Sequence, residues 1–188
     1  SPGPLRGMKL HLYDGGIRVP GILRWPGHAR AGSESDQPVS LVDLLPTFCE
    51  LANVPVPDDR RLDGTSLLPV LEGRPVQRDK PLFWLYLRSL TAPKLALRDG
   101  DWKLCAHWDL KPETIDRGAP QPETMQALKR AQLTTFELYN LAEDIGEKND
   151  LADREPQRVQ RMAGQLRQLL TEIQQQCPTW PAPGGAGT

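Results

Sequence analysis

The chain has 188 residues, 38% apolar and 25% charged, with a formal net charge of −1, which suits one domain or a small domain joined to part of a larger one. Scattered Lys and Arg without aromatic–basic interleaving exclude a basic nucleic-acid surface, and no apolar run reaches the roughly 20 residues of a membrane span. Three cysteines, Cys49, Cys105 and Cys177, at wide and irregular spacing form neither a disulfide framework nor a zinc-ligand pattern.

In chain order, residues 3–20 come first and are the most unusual. Gly3, Gly7, Gly15 and Gly16 frame a single lysine, Lys9, with Tyr13 and Arg18 nearby. Glycine permits sharp turns and close backbone approach, and a lysine presents a compact ammonium to an anion. On an extended backbone Lys9, His11 and Tyr13 would share one face. Residues 21–25 read as a short strand closed by Pro26-Gly27, and 29–38 as a surface loop. Asp43 is placed to N-cap a helix with Pro46 in its first turn. Leu44, Leu45, Phe48, Leu51 and Ala52 fall at amphipathic spacing along it. Leu62-Asp63-Gly64 is a turn, and 66–71 a short helical segment stopped by Gly73.

From Pro81 the character changes. Residues 82–87 read as a strand, and 94–98 with 102–107 flank Asp99-Gly100-Asp101 as a hairpin. In the second of these strands Trp102, Leu104 and Ala106 alternate with Lys103, Cys105 and His107. Residues 109–123 are proline-rich and read as a long loop, 123–131 as a short helix, and the segment of Phe136, Leu138 and Leu141 as another strand. A last helix follows, starting near Pro156, with Val159, Met162, Leu166, Leu169, Leu170 and Ile173 in one apolar stripe. The Pro/Gly-rich end, 178–188, has nothing to bury and reads as a disordered tail. These signals divide the chain into 1–80, 81–177 and that tail.

Several motifs resemble the type I, formylglycine-dependent sulfatases, the arylsulfatase and N-acetylgalactosamine-6-sulfatase family of the alkaline-phosphatase-like superfamily. Gly-Pro-Leu-Arg-Gly-Met-Lys and Leu-Tyr-Asp-Gly-Gly-Ile-Arg-Val-Pro are similar to the family's lysine segment. Trp25-Pro26-Gly27, Val42-Asp43-Leu44-Leu45-Pro46-Thr47, Leu62-Asp63-Gly64 with Ser66-Leu67-Leu68, Asp101-Trp102-Lys103-Leu104 and Glu137-Leu138-Tyr139-Asn140-Leu141 follow in the family's order. Residues 144–152 resemble its Asp-Pro-x-Glu-x-x-Asn-Leu loop, with Ile145 in place of proline. The resemblance implies an α/β, alkaline-phosphatase-like fold. Residues 1–80 would be the C-terminal part of the α/β core, and 81–177 a small antiparallel sheet packed with a long C-terminal helix.

It also implies an activity, hydrolysis of sulfate esters, with sulfated carbohydrate as the foremost substrate class. Neither the family's Cys/Ser-x-Pro-x-Arg nucleophile motif nor its Asp pairs for a divalent cation occur here. The formylglycine and Ca²⁺ of such an enzyme would therefore lie outside this chain, which is expected to hold no metal ligand and to be inactive without an N-terminal part. Lys9 matches the lysine that contacts the substrate sulfate, where a fixed cation stabilises developing negative charge. His11, near it, is a candidate for the pocket mouth. His107 and Trp108, at a strand end in the subdomain that often walls the family's pocket, are further substrate-binding candidates. Tyr13 and Asp14 read as packing and turn residues, and Arg18 as a structural arginine paired with a buried carboxylate. Two other readings stand beside this one: a phosphodiesterase or phosphonate hydrolase of the same superfamily, and a non-catalytic module docking through apolar surface around 17–50. Export (periplasmic, secreted or lysosomal) is implied by the resemblance alone.

Overall fold

The computed structural model describes residues 1–111 and 121–178. Most of the expected 109–123 loop, and the tail beyond Pro178, lie outside the described residues. Among the described residues, contacts group residues 1–18 with those from Phe83 onward, and residues 19–82 form a second unit.

The first unit is built on a four-stranded sheet in the order β1-β2-β3-β4, comprising β1 (Leu82–Leu85), β2 (Leu95–Asp99), β3 (Trp102–Trp108) and β4 (Leu133–Asn140). The expected hairpin is present, with Asp99 opposite Trp102 and Leu95 opposite Ala106. β4 runs antiparallel to β3, and a register shift between Ala106 and Trp108 interrupts the ladder. Alternation along β3 divides the sheet into two faces. Leu104, Ala106 and Trp108 join Leu95, Leu97 and Leu138 beneath α5 (Pro156–Gln176). The stripe read from the sequence is the face α5 buries, through Met162, Ala163, Leu166, Leu169 and Leu170. The opposite face holds Cys105, Ala96, Tyr139 and Leu141, covered by Leu12 and Tyr13 from the N-terminal segment. A four-residue helix, α1 (Asp14–Ile17), ends that segment, and α4 (Pro122–Arg130) precedes β4.

In the second unit a 3₁₀ turn (Leu41–Asp43) runs into α2 (Leu44–Leu51), and α3 (Leu68–Leu71) follows. Asp43 stands at the start of α2 but makes no side-chain cap there. Its fully buried carboxylate instead accepts hydrogen bonds from Ser40 N (2.7 Å), Thr65 N (2.9 Å) and both terminal nitrogens of Arg78 (2.8 and 2.6 Å). Thr47 Oγ1 donates to Asp43 O and accepts from Leu67 N at 2.9 Å. Gly64 packs so tightly on Val42 that a Cβ there would overlap the Val42 carbonyl. These bonds join Val42–Thr47 to Leu62–Leu68: each segment supplies part of one buried polar joint, which Arg78 completes. Residues 21–25 do not form the expected strand. Their β propensity finds no ladder partner among the described residues, and Ile22 is 97% exposed.

Burial works against the charge on Asp43, but the Arg78 fork and the two backbone donors overcome it and hold the carboxyl below its ordinary range. A carboxylate depressed in the folded state contributes stability that is full above its unfolded value of about 3.9, and that is lost as pH falls through the folded value. Asp43→Asn should therefore cost the second unit about 3 kcal/mol at pH 7. It should also remove part of the unit's acid sensitivity below about pH 4. Urea titration followed by hydrogen exchange on the α2 amides at pH 7 and pH 3 measures both.

Candidate functional site

The candidate site lies in the first unit, and its centre is a turn. His11 N donates to Met8 O at 2.9 Å, which places Lys9 and Leu10 at the two corners. Leu10 has φ +76°, a left-handed conformation that such a turn normally gives to glycine. Its carbonyl accepts from Leu90 N at 3.0 Å, so the strained corner is pinned to the body of the unit. Lys9 is exposed. Among the described residues nothing hydrogen-bonds or ion-pairs its ammonium, so the tip of the turn carries an uncommitted cation.

The turn excludes the extended geometry that would have aligned Lys9, His11 and Tyr13. His11 instead folds back over Gly7, where an added Cβ would sit 3.0 Å from His11 Nδ1. It lines a shallow cleft of about 430 Å³ with Leu10, Ile17, Trp84 and Tyr86. Tyr13 is buried on the sheet. Gly16 has a separate reason: a Cβ there would strike the carbonyls of His11 and Met8, so only glycine lets α1 close against the turn.

Beneath this segment lies a buried ion cluster. Lys103 Nζ is 2.7 Å from Asp14 Oδ1 and 2.8 Å from Glu147 Oε1, and all three side chains are almost wholly excluded from solvent. Glu147 Oε2 also accepts from Asp14 N at 2.6 Å. Two carboxylates against one ammonium would leave a buried negative charge, which Arg98 offsets from 3.9 Å off Asp14 Oδ2. Burial opposes the charge on Lys103, but the acidic groups around it (Cys105, Asp14 and Glu147) outweigh that and raise its pKa. Burial pushes the Glu147 carboxyl up in spite of Lys103. The arginine near Asp14 is thus Arg98, whereas Arg18 is exposed.

A second polar group sits on the same face. Glu137 Oε2 accepts from Tyr13 Oη and Tyr139 Oη, each at 2.8 Å, and Oε1 lies 3.0 Å from His107 Nε2. Burial would raise the Glu137 carboxyl, yet these three donors hold it below its ordinary range. Because a carboxylate only accepts, the His107 ring proton faces it. Burial and Glu137 push both tyrosine hydroxyls far above their ordinary values. Of the four sequence candidates, Lys9 and His11 therefore share one turn. His107 is half-buried in the Glu137 group, and Trp108 is 9% exposed within the core beneath α5. Sequence reasoning assigned no role to Glu137, Lys103 or Glu147. The signal was available in part, since Lys103 stands on an apolar strand where an unpaired charge would be costly.

The family described as N-sulphoglucosamine sulphohydrolase, C-terminal, matches residues 8–132. The chain belongs to this family. It is a C-terminal sulfatase portion, with the four-stranded sheet and helices of the alkaline-phosphatase-like sulfatases it resembles. Human steryl-sulfatase is 45% identical over 47% of this chain and 15% of its own length. Human N-acetylgalactosamine-6-sulfatase is 36% identical over 62% of this chain and 22% of its own. Among solved structures, Ps i-CgsB in complex with k-i-k-neocarrahexaose superimposes with a TM-score of 0.69 at 27% identity, over 97% of this chain and 35% of that one. A 6S-sulfatase from a glycosaminoglycan-metabolising locus of Bacteroides thetaiotaomicron gives 0.63 at 25% identity, over 90% and 32%. The chain thus spans about a third or less of each of these relatives. No helix among the described residues is long and apolar enough to cross a membrane.

Lys103→Met should strand Asp14 and Glu147 as unpaired buried carboxylates and destabilise the first unit by about 3–5 kcal/mol. Adding Glu147→Gln to Lys103→Met, which removes charge from both sides while keeping volume, should recover much of that loss. Urea unfolding of the single and double variants tests the coupling.

Proposed function

We propose that the whole protein to which this chain belongs hydrolyses sulfate esters, and that Lys9 contacts the sulfate. The observation that carries this reading is the uncommitted ammonium of Lys9 at the corner of a pinned, strained turn, in a chain of the sulfatase family. As the S–O bond breaks, negative charge grows on the leaving and sulfuryl oxygens. A cation already in place stabilises that charge without reorganisation. Sulfated carbohydrate is the preferred substrate class, supported by the oligosaccharide complex of the Ps i-CgsB relative. Among the described residues no three His, Cys, Asp or Glu side chains come together to hold a metal. In this reading both the Ca²⁺ ion and the formylglycine nucleophile belong to parts of the protein outside this chain. Export is part of the same proposal.

Alone, the chain would then be a docking module rather than a catalyst. Ile22, Leu41 and Phe48, 97, 82 and 59% exposed, are the apolar side chains that support this.

In the whole protein, Lys9→Ala should lower kcat on an aryl sulfate by about 100- to 1,000-fold. Stability should stay within about 0.5 kcal/mol, because the side chain is exposed and unpaired. Parallel assays on an aryl sulfate, a sulfated oligosaccharide and the matching phosphate ester distinguish the reading from that of a phosphodiesterase. Turnover of the phosphate alone would overturn it. The isolated chain should hydrolyse none of the three.

A further inference from the structure

Lys9 has no contact of its own to fix it, so its position is inherited from the loop that carries it. The base of that loop is closed. Gly15 N donates to Arg6 O at 2.7 Å, bringing the two ends of the segment together. The Arg6 guanidinium lies over the Tyr13 ring, 3.7 Å from its centroid. The same guanidinium donates through NH1 to Tyr139 Oη and to Glu147 O, both at 2.9 Å. Tyr13 and Tyr139 then meet on one oxygen of Glu137, with their rings edge to face at 6.4 Å. At the base of residues 7–12 Arg6 and Tyr13 form a stacked pair, which acts beside the Leu10–Leu90 bond and the burial of Leu12 on the sheet. That pair is tied to β4 and to the 144–147 turn.

We infer that Arg6, Tyr13 and Glu137 form a clamp that positions Lys9, a role that rests on the sulfate-contact reading above. The chemistry suits the task. A guanidinium is planar, so it can stack on a ring and donate in its own plane at once, which an ammonium cannot do. Arg6 spends its donors on Tyr139 Oη and Glu147 O, and Tyr13 its hydroxyl on Glu137, which leaves the Lys9 ammonium free. A shift of the order of 1 Å at a charge-stabilising group costs about 100-fold in rate. Arg6, Tyr13 and Glu137 are thus positioning residues, and none of them needs to meet the substrate.

The test uses the whole protein. Arg6→Ala should lower kcat on an aryl sulfate about 10- to 100-fold with less than a threefold change in KM, and Arg6→Lys should not restore it. Tyr13→Phe, which keeps the ring under Arg6 and removes only the bond to Glu137, should give a smaller loss, and it serves if Arg6→Ala does not fold. In a Lys9→Ala background either clamp substitution should change kcat by less than twofold, because there is no ammonium left to misplace. Hydrogen exchange should quicken at the amides of residues 7–12 and not in α5. An equal loss with and without Lys9, or unchanged exchange at 7–12, would overturn the clamp. If Lys9→Ala leaves kcat untouched, the sulfate-contact reading fails, and exchange at 7–12 alone then decides whether the clamp holds the turn.

Discussion

The first unit depends on one buried cation. Lys103 sits near the start of β3 with no access to solvent, and an ammonium there is tolerable only if anions reach it. Asp14 comes from the N-terminal segment and Glu147 from the turn after β4, so satisfying Lys103 brings three distant stretches of sequence to one point. Burying three charges is a poor source of net stability. What the cluster does supply is position, because Glu147 also holds Asp14 N and thereby sets where α1 begins. The Lys9 turn stands immediately before that helix.

The Glu137 group is a second joint on the same face, with a different character. It joins two buried tyrosine hydroxyls and a partly buried histidine to one carboxylate. The two joints divide the labour. The ion cluster fixes the helical end of the segment, and the tyrosine–carboxylate group fixes the stretch just before it. Just before them the backbone adopts a corner at Leu10 that its side chain disfavours, which persists only where surrounding structure over-determines it.

Much of the regular structure was legible in the sequence because it follows from period and punctuation. The α5 stripe, the hairpin around Gly100 and the two-faced alternation of β3 each reflect a local rule of burial. Residues 21–25 show the limit of such rules: Ile22 and Leu23 carry strand propensity, but a strand is a pairing, and propensity does not supply a partner. The Lys9 region shows another limit. Its glycines signalled sharp turns, yet the reversal falls at Leu10, where no residue type announced it. The polar joints were hidden for a different reason. Asp14 with Lys103, Tyr13 with Glu137 and Asp43 with Arg78 are pairs whose members lie far apart along the chain, and nothing in either member alone names the other.

That separation bears on how the segment comes into being. Arg6 bonds to Tyr139 and Glu147, and Asp14 to Glu147, across 133, 141 and 133 positions of chain. Contacts so remote must wait for the long intervening chain to be ordered. During synthesis, which proceeds from the N-terminus, residues 3–18 are among the first of this chain to emerge and among the last to acquire partners. The loop that carries Lys9 therefore stays untethered until β4 and the turn after it have been made. The loop is a late product of folding built from early sequence.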